Sequence, residues 1–188
     1  MINMENKKLI AIVGMPGSGK SLVSKAAINL NLPVYSCGDV IREEAIKKGL
    51  SLTHENLSKI MIEIREKNGA AAVVKKLIPK IMMDKKEVAV VEGVRSRAEV
   101  EELKKHFKNV KILAIHASPK VRFERLKMRG REDDPKTYEE FSSRDEKELK
   151  LGIGEVIALA DKMIINEDLI ENFFLKALNI LKEIKKDE

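Results

Sequence analysis

The sequence predicts an α/β fold in which helices cover both faces of a parallel β-sheet. Short apolar runs alternate with stretches of helical periodicity, a pattern typical of parallel strands joined by helical crossovers. The runs are Lys8–Val13, Pro33–Ser36, Val88–Glu92, Lys111–His116 and Lys162–Asn166. A glycine-rich segment follows the first run directly. This arrangement indicates that one edge of the sheet binds an anionic group.

The glycine-rich segment fits the P-loop pattern of Gly, four residues, then Gly-Lys-Ser/Thr. It reads Gly14-Met15-Pro16-Gly17-Ser18-Gly19-Lys20-Ser21, and a helical pattern over Ser21–Leu30 follows it. Glycines let successive N–H groups point into one concavity at a helix N-terminus, where they bind phosphate. Lys20 adds a positive charge for the β- and γ-phosphates, and the Ser21 hydroxyl can ligate Mg²⁺. The segment therefore predicts binding of ATP with Mg²⁺ in a P-loop NTPase fold.

Length and composition restrict the class of protein. The chain has 188 residues, of which 35% are charged and 44% hydrophobic, and we expect one domain over residues 1–188. A net charge of +6 suits an anionic ligand. Aromatic residues make up only 4% of the chain, so stacking platforms are scarce and nucleic acid is not the expected partner. The single cysteine, Cys37, excludes an internal disulfide and is expected to be buried.

The amino terminus and the apolar content predict a cytoplasmic protein without a membrane partner. Met1–Lys8 is polar and contains no signal-peptide core. No apolar stretch approaches the roughly 20 residues that cross a bilayer. His54, His106 and His116 are scattered and show no metal-ligand spacing. We expect a monomer or dimer that acts on a small nucleotide substrate.

The segment from residue 38 to residue 84 is longer than a single crossover requires. It carries helical patterns over Asp39–Lys48, His54–Lys67 and Ala70–Asp84. We therefore expect a helical insertion that binds the phosphoryl acceptor. Pro79 should kink or break the last of these helices, because proline removes an N–H group and clashes with the preceding turn.

A second irregular segment, Gly130–Thr137, lies between the helical patterns Lys120–Arg129 and Tyr138–Lys150. Its position predicts a short lid loop. The carboxyl-terminal stretch Asp168–Lys185 has an amphipathic pattern and should close the core. Its candidate packing residues are Leu169, Phe173, Leu175, Leu178, Leu181 and Ile184.

Gly38, Asp39 and Arg42 follow the second predicted strand. We expect Gly38 in the turn, Asp39 as the cap of the next helix, and Arg42 on the same helical face. Gly-Asp followed by Arg at this place resembles the nucleoside monophosphate kinases, and adenylate kinase in particular. In that family the Arg holds the acceptor's phosphate, so the resemblance implies that Arg42 binds the acceptor.

Glu92 and Arg95 follow the third predicted strand. Adenylate kinases have Asp-Gly-x-Pro-Arg at this place, whereas here Glu92 replaces the Asp and no proline precedes Arg95. An acidic residue at the end of a strand beside a P-loop is well placed to hold Mg²⁺ through water. The resemblance implies that Arg95 is a second phosphate ligand on the acceptor side.

Arg122, Arg125 and Arg129 recur at helical spacing and should share a face, which is costly without a neighbouring anion. A lid that begins this way clamps the ATP phosphates in adenylate kinases. Arg125 and Arg129 match the Arg-x-x-x-Arg of that lid, and Arg131 resembles its distal arginine. The alternative for any single arginine is a surface charge paired with Glu or Asp.

Arg144 is a further candidate for substrate binding. The lid is shorter than in long adenylate kinases and has no four-cysteine zinc pattern.

The segment Ala160–Asn166 resembles the last strand of dephospho-CoA kinases. The whole chain resembles an archaeal family related to adenylate kinase and dephospho-CoA kinase.

This resemblance implies a three-layer α/β/α fold with five parallel strands in the order 2-3-1-4-5. It also implies transfer of the γ-phosphoryl group of ATP to a nucleotide or nucleotide-like acceptor. Lys20, Asp39, Arg129 and Arg131 are then the catalytic candidates. Arg125 joins the P-loop in binding ATP, Arg42, Arg95 and Arg144 bind the substrate, and Ser21 and Glu92 hold Mg²⁺.

The role of Asp39 depends on the acceptor. If the acceptor is a phosphate, Asp39 is structural or linked to Mg²⁺; if it is a sugar hydroxyl, as in dephospho-CoA, Asp39 can accept its proton. Two other classes stay open on the sequence alone. One is a regulator that binds ATP and hydrolyses it slowly, and the other is a nucleic-acid-associated protein that uses a basic face.

Overall fold

A single five-stranded parallel sheet forms the centre of the protein, in a computed structural model that describes residues 7–186. Its strands are β1 (Lys8–Val13), β2 (Val34–Ser36), β3 (Val88–Glu92), β4 (Asn109–His116) and β5 (Lys162–Ile165). Their order is β2-β3-β1-β4-β5, which confirms the predicted topology. Of the polar segment Met1–Lys8, only Lys7 and Lys8 lie within the described residues.

Helices connect the strands throughout residues 7–186. They are α1 (Lys20–Asn29), α2 (Cys37–Lys47), α3 (His54–Asn68), α4 (Ala72–Met83), α5 (Arg97–His106), α6 (Pro119–Arg129), α7 (Tyr138–Lys150), α8 (Ile153–Ala158) and α9 (Ile170–Lys186). Each lies within a few residues of its predicted span, except α5 and α8, which the sequence patterns did not single out. None of these helices is long and apolar enough to cross a membrane.

Two apolar clusters fill the space on the two faces of the sheet. Ile10 and Ile12 of β1 face α1 and α9, whereas Leu9 and Ala11 face the layer that contains α2–α5 and α8. Every residue of β1 is buried because β3 and β4 flank it and both faces are covered. Since all pairings are parallel, the carboxyl ends of the strands meet at one edge of the sheet.

The start of α2 differs from the prediction. Ser36, not Asp39, caps this helix, because Ser36 has an extended backbone and its hydroxyl accepts a hydrogen bond from the Asp39 N–H at 3.2 Å. Gly38 consequently lies inside the first turn of the helix and not in a loop. Asp39 is thereby free to pair with Arg42, one turn further along the helix.

Two other predictions are wrong in part: Pro79 does not break its helix, and the buried stripe of the last helix contains fewer of the expected residues. The helix α4 continues through Pro79, because Leu77, Ile78 and Ile81 are buried beside it and outweigh a cost of about 3 kcal/mol for an internal proline. In α9 the buried stripe contains Phe173, Leu181 and Ile184. Leu169 and Leu175 were expected in that stripe but are exposed.

Candidate active site

A cavity of about 730 Å³ opens at the carboxyl edge of the sheet. Its walls are formed by the P-loop, by the ends of β2, β3 and β5, and by the lid-side helices α6 and α7. Most of the predicted site residues line it. They are Pro16, Gly17, Gly19, Lys20, Ser21, Asp39, Arg42, Glu92, Arg95, Arg125, Arg129, Arg131 and Arg144. Gly14, Met15 and Ser18 belong to the same loop but do not line the cavity.

The P-loop has a backbone that glycine alone accommodates. Gly17 and Gly19 have φ values of 80° and 106°, in the left-handed region that side chains rarely adopt. A Cβ atom on Gly17 would lie 2.7 Å from the Arg122 carbonyl oxygen, and one on Gly19 would overlap the Asn166 amide. The loop is therefore packed tightly between α6 and the residue that follows β5.

Lys20 begins α1 and points back over the loop. Its Nζ donates hydrogen bonds to the carbonyl oxygens of Gly14 at 2.7 Å and Met15 at 3.1 Å. Desolvation of the ammonium lowers the pKa of Lys20 to about 8, and the Glu92 carboxylate opposes part of that shift. A phosphate beside this ammonium would stabilise the charged form and raise the pKa again.

Asn166 is a site residue to which the sequence patterns gave no role. It is buried directly after β5, and its Nδ2 donates to the Ser18 carbonyl at 2.8 Å. Its Oδ1 accepts a hydrogen bond from Arg125 Nη2 at 3.3 Å. A polar residue directly after the last strand was the available signal, because strand ends meet at the site.

Arg125 has a donor that no other group uses. Its Nη1 is buried and has no hydrogen-bond partner within residues 7–186, and burial lowers the pKa of the guanidinium. Arg144 Nε is also buried and has no hydrogen-bond partner among the described residues. Both residues line the cavity, and an unpaired buried donor is costly unless an acceptor meets it. These two donors fit an anionic ligand.

Ser21 and Glu92 provide oxygen donors near the P-loop. Ser24 Oγ donates to Glu92 Oε2 at 2.6 Å and so orients the carboxylate. Hydroxyl and carboxylate oxygens are the protein ligands that Mg²⁺ accepts alongside phosphate oxygens and water. Within the described residues there is no cluster of three or more His, Cys, Asp or Glu placed to hold a metal.

Asp39 and Arg42 form an ion pair at the β2 side of the cavity. Arg42 Nε donates to Asp39 Oδ1 at 3.1 Å, and Arg42 Nη2 contacts the same oxygen. The guanidinium lies over Gly38, whose absent side chain leaves room for it. Ile28 and Val34 also line the cavity, so its wall combines charged and apolar surfaces.

Arg95 connects the loop after β3 with two neighbouring helices. Its Nε pairs with Glu148 of α7 at 3.1 Å, and its Nη1 contacts the Met61 sulfur of α3 at 2.9 Å. Its backbone N–H donates to the buried Glu99 at 2.7 Å. Glu99 also completes a capping box with Ser96. These contacts fix the direction in which Arg95 faces the cavity.

Arg129 and Arg144 are paired with carboxylates of the loop Gly130–Thr137. Arg129 forms a two-pronged pair with Asp134, and Arg144 binds the carbonyl and carboxylate of Asp133 at 2.9 and 3.2 Å. The lid aspartates therefore neutralise much of the charge that the sequence patterns attributed to ligand binding. Arg131 is exposed and lines the cavity.

Comparison with known proteins connects this arrangement with a family and a fold. A family model described as an AAA domain matches residues 13–142. A UPF0200 protein of Pyrococcus abyssi is 53% identical over 169 residues, covering 88% of this chain and 90% of that protein.

Solved structures from other organisms resemble the fold as well. A crystal structure from Thermus thermophilus matches with a TM-score of 0.66 at 19% identity, covering 95% of this chain and 98% of that one. The shikimate kinase of Bacteroides thetaiotaomicron matches with a TM-score of 0.60 at 16% identity, covering 93% and 98%. At these identities the likeness establishes a P-loop kinase-like fold.

Proposed function

We propose that this chain, which belongs to the UPF0200 family and carries an AAA domain, is an ATP-dependent phosphotransferase. The reaction moves the γ-phosphoryl group of Mg-ATP to a nucleotide or nucleotide-like acceptor. The observation that carries this proposal is one continuous cavity that joins Lys20 and the P-loop to Asp39, Arg42 and Arg95. A donor and an acceptor bound in this cavity can therefore lie next to each other.

The donor side fits a nucleotide. The P-loop amides and Lys20 hold the β- and γ-phosphates, and the unpaired Nη1 of Arg125 supplies a further donor. Ser21 and Glu92 would hold Mg²⁺, directly or through water, and the bound ion would neutralise charge on the phosphates. The remaining catalytic effect is positioning, because phosphoryl transfer asks for little covalent work from the protein.

The acceptor side fits an anion that also has an apolar part. Arg42 and Arg95 orient the acceptor's charged group, while Ile28 and Val34 contact its apolar part. Arg129 and Arg131 approach the transferring group from the lid. Arg129 must exchange Asp134 for phosphate to do so, which makes the lid pair part of the binding equilibrium.

A sugar-hydroxyl acceptor is the second candidate, as in a dephospho-CoA kinase-like enzyme. One observation favours it: the exposed Asp39 carboxylate borders the cavity. Both contacts from Arg42 fall on Asp39 Oδ1, so Oδ2 is the oxygen that would take the hydroxyl proton. With a phosphate acceptor, Asp39 only holds Arg42 in place.

A panel of acceptors incubated with ATP labelled at the γ-phosphate tests the proposal. The panel contains nucleoside monophosphates, dephospho-CoA and small sugar acids. Transfer to any of them that is lost in Lys20→Ala supports the phosphotransferase. Transfer to a hydroxyl that is lost in Asp39→Asn, with transfer to phosphates absent, supports the second candidate.

The same panel separates the other classes of function. Slow release of inorganic phosphate that no acceptor accelerates would contradict the phosphotransferase and support a nucleotide-binding regulatory ATPase. Salt-sensitive binding of nucleic acid without nucleotide turnover would instead support a nucleic-acid-associated protein.

A further inference from the structure

Arg122 differs from the other arginines near the cavity. Its side chain is 4% exposed, whereas those of Arg42 and Arg129 are 35% and 33% exposed. Its Nε donates to the Ala117 carbonyl at 3.1 Å, directly after β4. Its Nη1 donates to the Pro16 carbonyl at 3.2 Å. The guanidinium therefore attaches the P-loop backbone to the neighbouring strand.

Asp145 of α7 neutralises this guanidinium. Its Oδ1 accepts from Nη1 at 2.8 Å and its Oδ2 from Nη2 at 2.5 Å, which is the two-pronged arrangement that fixes an arginine most strongly. Phe141, one turn earlier, has its ring centre 4.9 Å from the Arg122 Cζ. One side chain thus determines the spacing between α7 and the P-loop.

The bond to Pro16 sets the direction of an amide in the phosphate-binding loop. The Pro16 carbonyl and the Gly17 N–H belong to one planar trans peptide group, so they point in opposite directions. Because Arg122 holds the carbonyl on the α6 side, the Gly17 N–H points away from α6. Gly17 lines the cavity, whereas Arg122 does not.

We propose that Arg122 is a positioning residue that orients the Gly17 amide for phosphate, and that Asp145 holds Arg122 in the required place. Arg122 itself does not contact the nucleotide. This inference rests on the proposed function. It differs from the roles assigned to Arg125 and Arg129, which face the cavity.

Nucleotide affinity in Arg122→Lys tests the inference. Lysine keeps the charge but cannot bond Ala117, Pro16 and Asp145 together. We expect the Kd values of Mg-ADP and of the Mg complex of a non-hydrolysable ATP analogue to rise by the same factor, because both carry the β-phosphate. The factor is about ten- to a hundredfold, the value of one hydrogen bond to a charged group. Titration calorimetry measures both constants.

Two further variants make the comparison specific. Arg97→Lys alters an exposed arginine that is also paired with a carboxylate, Glu155, and should leave both Kd values unchanged. Arg129→Lys should weaken the triphosphate analogue more than Mg-ADP. A selective loss of the triphosphate analogue in Arg122→Lys would make Arg122 a direct ligand and overturn the inference, as would unchanged Kd values.

If Arg122→Lys does not fold, Asp145→Asn tests the same inference. It keeps the guanidinium and the shape of its partner, and we expect the same equal loss of affinity for both nucleotides. Amide hydrogen exchange without nucleotide gives a separate readout: Gly17 should exchange faster in Asp145→Asn than in Arg97→Lys. Unchanged exchange at Gly17 would overturn the inference.

A wild-type protein that binds neither nucleotide would refute the proposed function, while the exchange comparison still decides the role of Arg122.

Discussion

The ammonium of Lys20 lies against two backbone carbonyls of its own loop. Desolvation makes its positive charge unfavourable, and a nearby anion would offset that penalty. Its bonds to Gly14 and Met15 orient the side chain along the loop. Desolvation explains why its pKa falls to about 8.

Lys20→Ala should abolish nucleotide binding and leave the fold intact, because the side chain extends along the P-loop and not into either apolar cluster. For the wild type, Mg-ATP at about 100 times its Kd should raise the free energy of unfolding by roughly 2.7 kcal/mol. Denaturant unfolding with and without Mg-ATP measures this increment. Lys25→Ala, an exposed change on the same helix, is the control. The same increment in Lys20→Ala and wild type would contradict the assignment of Lys20.

The affinity for Mg-ADP should fall as pH rises above 8. Free Lys20 loses its proton near pH 8, whereas bound phosphate raises its pKa, so the complex keeps a proton that the free protein releases. The Kd should be constant below pH 8 and then rise by at most about tenfold per pH unit. Calorimetric titrations between pH 7 and 9.5 measure it. Lys20→Arg stays charged and should show no such rise; a flat wild-type profile would speak against Lys20 as the phosphate contact.

Arg42 and Arg129 should affect different kinetic constants once an acceptor is known. Arg129→Ala should lower kcat by about 10³-fold or more, the effect of an arginine that stabilises developing charge. Arg42→Ala should raise the KM for the acceptor and leave the KM for ATP unchanged. Steady-state kinetics with Arg97→Ala as the control measures both. A change in the KM for ATP alone in Arg42→Ala would show that the two sites are assigned the wrong way round.

At the scale of elements, two buried lysines at the start of β1 close the ends of two helices on opposite faces of the sheet. Lys7 Nζ donates to the carbonyls of Ile81 at 2.8 Å and Asp84 at 2.7 Å, at the end of α4. Lys8 Nζ donates to the Ile184 carbonyl at 2.9 Å, near the end of α9. The last carbonyls of a helix have no partner within the helix, so each lysine satisfies groups that would otherwise be buried unpaired.

Lys7→Met should lower the free energy of unfolding by about 1–3 kcal/mol, because it keeps the bulk of the side chain but leaves buried carbonyls without a donor. Denaturant unfolding monitored by circular dichroism should show a lower midpoint with an unchanged slope. Lys85→Met is the control, since Lys85 is exposed next to the same helix end. Equal midpoints for Lys7→Met and Lys85→Met would refute the capping role.

At the scale of the whole molecule, charged and polar contacts connect the insertion 38–84 with the rest of the fold near Arg95. Arg65 Nη2 of α3 donates to the buried Glu99 at 2.9 Å, and Met61 of the same helix contacts Arg95. On the other side, Glu148 of α7 pairs with Arg95. A substrate that binds Arg95 would therefore change its contacts with both α3 and α7.

Binding of both substrates should reduce amide exchange in the insertion 38–84 and in the lid loop Gly130–Thr137. Closure of these segments would exclude water and so limit unproductive hydrolysis of ATP. Hydrogen exchange with and without an analogue that joins ATP to the acceptor measures the effect. The segment Leu175–Lys186 of α9, remote from the cavity, is the internal reference. Equal protection of the insertion and lid with and without the analogue would refute closure.

The strands of the sheet and the phosphate-binding loop were predictable from the sequence, because both depend on local pattern. A buried parallel strand is apolar along most of its length. The apolar runs that end at a charged residue therefore predict the observed bounds of β1 and β3, Lys8–Val13 and Val88–Glu92. The P-loop glycines must adopt backbone angles that other residues avoid, so their spacing along the chain is enough to mark the loop. The family resemblance then supplied the strand order.

The partners of the charged residues could be identified only in the folded protein. Asn166 and Ser18 are 148 positions apart, and Arg122 and Asp145 are 23 apart; no periodicity connects either pair. The sequence showed arginines on one helical face that required anions, but the lid aspartates and Asp145 meet that requirement as much as a nucleotide does. Ser36 likewise caps α2 because it ends the strand β2 and has extended backbone angles. Side-chain pairing depends on which surfaces the fold brings together, and a linear pattern carries no information about that.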